Sequence, residues 1–248
     1  MKKISYLLLL VAMVTLSAPK SAAQDVQLFY DLGHTLYGDL SGRHNVTSTV
    51  SMFKPDKWGS TFLFTDVYYY GDGAAGLYWE IEREFSVSKN KQWAIHTEYD
   101  GGLTTVEHTA IASRFQHALS LGLSWNWSSA DFTKSFSVQA MYRQFFKGQT
   151  RDAFSSVVGT VVWSNTFANG LLTASGFCDV WYDPDVKGKV KMLAEPQFWV
   201  NLNTLKGMDG VNLSVGTEFE VSNNFVFNNV GRNDKFYVIP MVGAKWTF

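Results

Sequence analysis

The chain has a single cysteine, Cys178, in 248 residues. That excludes an internal disulfide framework, and Cys178 reads as a small apolar residue on a strand. Beyond residue 18 there is no apolar run long enough to cross a bilayer as a helix. There is also no excess of basic residues. Residues 1–23 carry three of the 21 Lys and Arg and none of the 22 Asp and Glu, which leaves 18 basic against 22 acidic residues in the remainder. A formal charge of −4 with no basic patch argues against nucleic acid as a partner.

The amino end has the form of a secretory leader. Met1-Lys2-Lys3 precedes an apolar stretch to about residue 18, and Ser21-Ala22-Ala23 supplies small residues for cleavage before Gln24. A leader over residues 1–23 and one domain over residues 24–248 are expected. No cysteine follows the apolar stretch, so a lipoprotein anchor finds no support.

Aromatic residues make up 16% of the chain, yet the mean hydropathy is only −0.07. The aromatics do not gather in continuous apolar runs. They alternate with Ser, Thr, Asn, Gln and charged residues, as in a transmembrane β-barrel. Leu119, Leu121, Leu123, Trp125 and Trp127 alternate with Ser120, Gly122, Ser124, Asn126 and Ser128. A helix would mix these two sets, so the period is two. In residues 77–86, Tyr78, Glu80, Glu82 and Glu84 share one face, and Leu77, Trp79, Ile81 and Phe85 the other. Arg83 interrupts the apolar face and is expected near a headgroup level, where a long side chain can snorkel.

Twelve strands are read in all, with ten or fourteen left open by the ambiguous segment 101–116. The fold class is all-β: a transmembrane antiparallel up-and-down barrel of about 12 strands. An even count puts both chain ends on one side. Residues 54–57, 89–91, 129–131 and 168–170 then become short turns. Residues 38–42 read as a turn, and 71–76, 101–116 and 228–234 as loops at the other end. Pro196 predicts an irregularity in the strand at 189–202.

The polar faces point inward. The expected lining comprises Phe64, Asp66, Tyr68, Tyr78, Glu80, Glu82, Glu84, His96, Glu98, Arg143, Asp179, Glu195 and Glu218. Asp31, Glu220, Lys191, Lys245 and Arg114 are further charged candidates for the lumen, with Phe29, Phe62, Phe177 and Trp181 as aromatic ones. Carboxylates interleaved with rings suit a neutral, flat, hydrogen-bonding solute. The bland alternative is that these groups satisfy one another and plug the lumen.

The segment Glu80-Ile81-Glu82-Arg83-Glu84-Phe85-Ser86 resembles the Glu-Ile-Glu-Pro-Arg-Phe-Ser type of segment in Tsx-like nucleoside channels of the outer membrane. Residues 58–70, with Asp66 among aromatics before a Gly-rich stretch, are similar to the strand that precedes it. The chain resembles an uncharacterised branch of that superfamily, most sharply over residues 58–88. The terminal Phe248 on an alternating last strand also resembles the sorting signal of outer-membrane barrels. The resemblance implies a monomeric twelve-stranded barrel in the outer membrane that passes nucleosides by facilitated diffusion. It implies Phe64, Asp66, Tyr68, Glu80 and Glu82 as pore residues. Arg83-Glu84 replaces the Pro-Arg of the pattern, which puts an acid where a base is expected.

A barrel hydrolase is the competing class. His96, His108 and His117 are its candidate bases, but no motif pairs them with a nucleophile at a diagnostic spacing. His108 and His117 fit no standard metal-ligand spacing. A soluble periplasmic sandwich or ligand-binding module is a third class. The expectation is a channel with no catalytic residue, no metal and no cofactor, whose partners are a small solute and the lipid bilayer.

Overall fold

A computed structural model describes residues 23–71, 73–105 and 112–248. The expected leader lies outside the described residues except for Ala23, and so does His108. Among the described residues there are fourteen strands: β1 (Ala23–Asp31), β2 (Val46–Pro55), β3 (Gly59–Tyr70), β4 (Gly73–Ser86), β5 (Trp93–Thr105), β6 (Ala112–Arg114), β7 (Ala118–Ser128), β8 (Lys134–Phe145), β9 (Phe154–Phe167), β10 (Leu172–Tyr182), β11 (Val190–Ala194), β12 (Gln197–Asn201), β13 (Leu213–Asn223) and β14 (Phe236–Thr247). One helical turn, α1 (Gly33–Leu36), follows β1.

Neighbouring strands pair antiparallel around a full circle, and β1 closes on β14 with Leu28 opposite Ala244. β6 is a short addition to β5. β11 and β12 together form one stave, interrupted at Glu195 and Pro196, and both pair with β10 and β13. The barrel therefore has twelve staves. Closure pairs each of these staves on both sides, which is what hydrocarbon requires.

The break in the tenth stave follows from Pro196, which has no amide hydrogen to give the ladder. The ladder resumes on either side of it, through Glu195 N–H to Phe177 O at 3.1 Å and Phe219 N–H to Pro196 O at 3.0 Å. Gly176 faces the break with φ +153°. A Cβ there would meet the Glu195 carbonyl oxygen at 2.5 Å, so this position needs glycine.

The distribution of polarity is that of a membrane barrel. On β7, Leu119, Leu121 and Leu123 are 48%, 57% and 53% exposed, while Ser120 and Ser124 are sealed at 1% and 0%. The same inversion repeats around the wall, with Leu28, Ile81, Phe85, Val157, Phe198 and Val242 outside. A water-soluble protein does not expose so continuous an apolar band. No helix among the described residues is long and apolar enough to cross a membrane.

Several boundaries differ from the sequence reading. The expected turn at 38–42 is part of a longer excursion, 32–45, that holds α1 and a 3-10 turn, Gly38–Leu40. The loop expected over 71–76 is short, because β4 begins at Gly73 after a register shift between Tyr68 and Tyr69. The loop expected over 101–116 is shortened as well, since β5 runs on to Thr105 and β6 lies within it. Arg114 pairs opposite Leu103 on the outward face and is exposed, so it does not join the lumen.

Candidate functional site: the barrel interior

The strand registers give the residues of the expected lining their neighbours across the wall. Thr49 of β2 stands opposite Asp66 and Thr47 opposite Tyr68. Glu80 faces Phe64, Tyr78 faces Asp66, and Glu82 faces Phe62. Across the next pair, His96 lies opposite Glu84 and Glu98 opposite Glu82. Arg143 is opposite Ser120, Asp179 opposite Thr160, and Glu218 opposite Gln197. Glu195 stands at the break, alongside Phe177.

These groups form two polar clusters. The first spans β4, β5, β7 and β8. His96 is fully buried, with Nδ1 3.4 Å from Glu84 Oε1, and Nε2 3.4 Å from Glu98 Oε2 and 3.9 Å from Glu82 Oε2. The Arg143 guanidinium bonds Glu98 Oε1 through Nη2. It donates from Nε to Ser120 Oγ at 2.8 Å and approaches Asp100 Oδ2 with Nη1 at 3.6 Å. Asn126 donates to Glu84 Oε2 at 2.9 Å.

The second cluster lies across β1, β12, β13 and β14. Gln197 Nε2 donates to Glu218 Oε2 at 2.6 Å and to Gln27 Oε1 at 3.1 Å. The Trp199 indole donates to Gln197 Oε1 at 2.9 Å, and Lys245 Nζ lies 4.5 Å from the centroid of that ring. Phe29, Trp199 and Met241 pack together beside it. On the neighbouring wall, Thr49 donates to Asp66 Oδ1 at 2.5 Å.

Aromatic rings join the wall between the clusters. Phe62 and Phe64 are 5.9 Å apart between centroids, and Phe64 and Tyr78 are 5.7 Å apart. The Tyr78 hydroxyl donates to Glu80 Oε2 at 3.0 Å. Tyr68 is covered by the His44 ring at 4.6 Å. His117 keeps its Nδ1 3.1 Å from the Tyr99 hydroxyl and its ring 5.0 Å from Phe146, which gives it a structural role.

The end carrying the longer loops holds a different set of contacts. Arg43, from the excursion after β1, turns inward to Asp31 Oδ2 at 2.8 Å and Glu220 Oε2 at 2.6 Å. Burial opposes its charge, but Glu220 and Asp31 outweigh that and push its pKa up. Leu40, Val226, Tyr237 and Ile239 form an apolar cluster at the same end. Burial, and then the charge of Arg43, pull the His44 imidazole down to about 3. Nearby, Asp183 holds Arg151 at 2.7 Å and Lys191 at 3.1 Å. At the short-turn end, Arg83 grips Asp56 at 2.7 Å and 3.0 Å, which places its charge at the barrel rim.

The sequence reading sets Asp100, Asn126 and Gln197 on polar strand faces without naming them among the lining residues, and does not single out Arg43. Asp100 shares the His96–Glu98 face, so the same period-two signal marks it. Asn126 and Gln197 are uncharged members of polar faces, distinguished only by their partners. Arg43 lies outside any strand and has no periodicity to mark it.

Residues 23–248 match the family model described as "Domain of unknown function (DUF5020)". No curated protein matches the sequence. Among solved structures, a NanC porin in a rhombohedral crystal form is similar with a TM-score of 0.57 at 10% identity, covering 91% of this chain and 100% of that one. LpxR from Salmonella typhimurium has a TM-score of 0.44 at 9% identity, with 91% and 100% of the two chains covered. The outer membrane channel DcaP of Acinetobacter baumannii has a TM-score of 0.37 at 11% identity, with 82% and 63% covered. The likeness to NanC speaks for the barrel fold alone, and the two weaker ones carry no argument.

Proposed function

The chain belongs to the DUF5020 family, and from that premise and the chemistry of the barrel interior we propose that it is an outer-membrane channel for facilitated diffusion of small polar solutes, nucleosides first. The observation that carries this reading is the inner wall of β3 and β4. There the rings of Phe62, Phe64 and Tyr78 run in series, with Glu80 bonded to the Tyr78 hydroxyl and Asp66 opposite Tyr78. A flat heterocycle can stack on such rings while its edge and its sugar hydroxyls bond to carboxylates. The similar NanC structure is a porin, and the sequence likeness to Tsx-like segments favours the nucleoside class. In the same reading the short turns lie on the periplasmic side and the longer loops outside. Passage is passive, and the chain acts as a monomer without catalysis.

A second reading, a plugged barrel without transport, draws support from the Arg43 bridge and the apolar cluster of Leu40, Val226, Tyr237 and Ile239 at one end. Liposome swelling separates the two. Purified barrel reconstituted into liposomes should admit nucleosides faster than sugars or amino acids of similar mass. Swelling no faster than protein-free liposomes for every solute would establish the plug.

A further inference from the structure

Glu80 of β4 stands directly opposite Asp100 of β5, and Glu98 is two residues along the same inner face. One oxygen from each of these three carboxylates lies within 4.8 Å of the other two. Glu98 and Asp100 are only 4% and 6% exposed. Three such groups this close repel strongly wherever water is excluded, so the arrangement calls for positive charge. Arg143 supplies one, and it is spent mainly on Glu98. Its approach to Asp100 Oδ2, at 3.6 Å, is too long for a hydrogen bond. His96 leans on Glu98 and Glu84 from the far side.

A separate observation points into the same place. Asp100 Oδ1 is sealed from solvent and has no hydrogen-bond partner among the described residues. Buried carboxylate oxygens ordinarily find a donor or a cation. We propose that Glu80, Glu98 and Asp100 form a site for a hard divalent cation of the calcium class, with Asp100 supplying the oxygen that otherwise lacks a partner. The donor set is all oxygen, which suits calcium, magnesium or manganese and disfavours the softer metals. Calcium accepts irregular oxygen shells, about 2.3–2.6 Å from the ion, whereas magnesium demands a near-ideal octahedron. Waters complete the shell, and the Tyr78 hydroxyl holds Glu80 from the other side. The site binds whether or not solute crosses the barrel, so it stands apart from the transport reading.

The test uses the mature barrel in detergent, freed of metal by a chelator. Calcium titrated by calorimetry should bind one to one. Terbium should bind in its place and luminesce on excitation of the tyrosines, since Tyr78 touches Glu80, and calcium should quench that signal by displacement. Glu80→Gln and Asp100→Asn should each weaken calcium binding ~10-fold or more, corresponding to one or more lost charged ligands. Asp152→Asn, an exposed carboxylate in a loop, should leave binding unchanged. Heat-modifiable migration shows which variants have folded. Absence of one-to-one calcium binding in the wild-type barrel overturns the proposal without recourse to any variant. So does folded Asp100→Asn that binds calcium as tightly as wild type.

Discussion

The Arg43 guanidinium lies 2.6 Å from Glu220 Oε2, although 177 residues separate them in the chain. The same guanidinium meets Asp31 at 2.8 Å, and Asp31 Oδ1 also accepts the Gly33 amide at 2.6 Å. A residue from outside the wall thus ties the excursion 32–45 to strands β1 and β13. Asp31 is fully buried, and Arg43 is nearly so. Arg43→Ala therefore leaves two buried carboxylates without their cation, a change that costs about 3–5 kcal/mol when such a pair is broken. The expected result is a lower melting midpoint in heat-modifiable gel migration. Single-channel conductance should also rise, because the excursion loses its hold inside the rim. Unchanged conductance in a folded variant would show that this contact does not restrict the lumen.

Arg143 makes the corresponding prediction in the other cluster. It bonds Glu98 and Ser120 together and approaches Asp100, with its side chain 9% exposed. Arg143→Lys keeps the charge but not the planar fork, so it cannot serve these partners at once. Arg143→Ala should lower the melting midpoint more than Arg143→Lys, and both should lie below wild type. Equal midpoints for Ala and Lys would mean that charge contributes nothing there.

Much of this interior is legible in the sequence because barrel walls repeat every two residues. Glu80, Glu82 and Glu84 had to share a face once β4 was a strand, and Leu119 to Trp127 settled that period for β7. Pro196 marked the interruption between β11 and β12 for the chemical reason that it lacks an amide hydrogen. The end of β5 was obscured by Gly101-Gly102, a pair that reads as a turn. The structure gives these glycines another purpose. A Cβ on Gly101 would meet the Trp79 ring at 2.7 Å, and one on Gly102 the Phe115 ring at 2.4 Å, so the strand continues in order to seat those rings. Pairings between strands distant in sequence, such as Gln27 with Gln197, leave no local pattern at all.

The rim contact between Arg83 and Asp56 gives a pH prediction. The forked bond from Arg83, with help from the Trp58 amide, holds the Asp56 carboxyl down at about 2. Its folded value lies below the ordinary value of about 3.9, so the folded state binds fewer protons than the unfolded one. The stabilisation is present in full above about pH 4 and is lost as the pH falls through about 2. Asp56→Asn should thus melt below wild type at pH 7 and pH 5, and the gap should narrow as the pH approaches 2. A gap that stays constant down to pH 2 would assign the effect to shape rather than charge. The pair is exposed, so the difference should be small and should shrink in high salt.

Asp66 and Glu82 are the sharpest probes of solute passage. Asp66 accepts a hydrogen bond from Thr49 and stands opposite Tyr78, while Glu82 faces Phe62 and lies beside His96. If nucleosides pause on this wall, they should interrupt single-channel current in wild type. Asp66→Ala and Glu82→Ala should then shorten the interruptions by removing hydrogen-bond acceptors, while Phe64→Leu shortens them by removing a stacking surface. One lost hydrogen bond to a charged group is worth about 1.5–3 kcal/mol, which predicts residence times roughly 10- to 100-fold shorter for either carboxylate variant. Thr173→Ala, on the inward face of β10 and bonded to Thr166 and Asn201, serves as the control. It should leave the interruptions as they are, because its hydroxyl joins wall residues to one another. Interruptions equally long in all four variants and wild type would move solute recognition away from the β3–β4 wall.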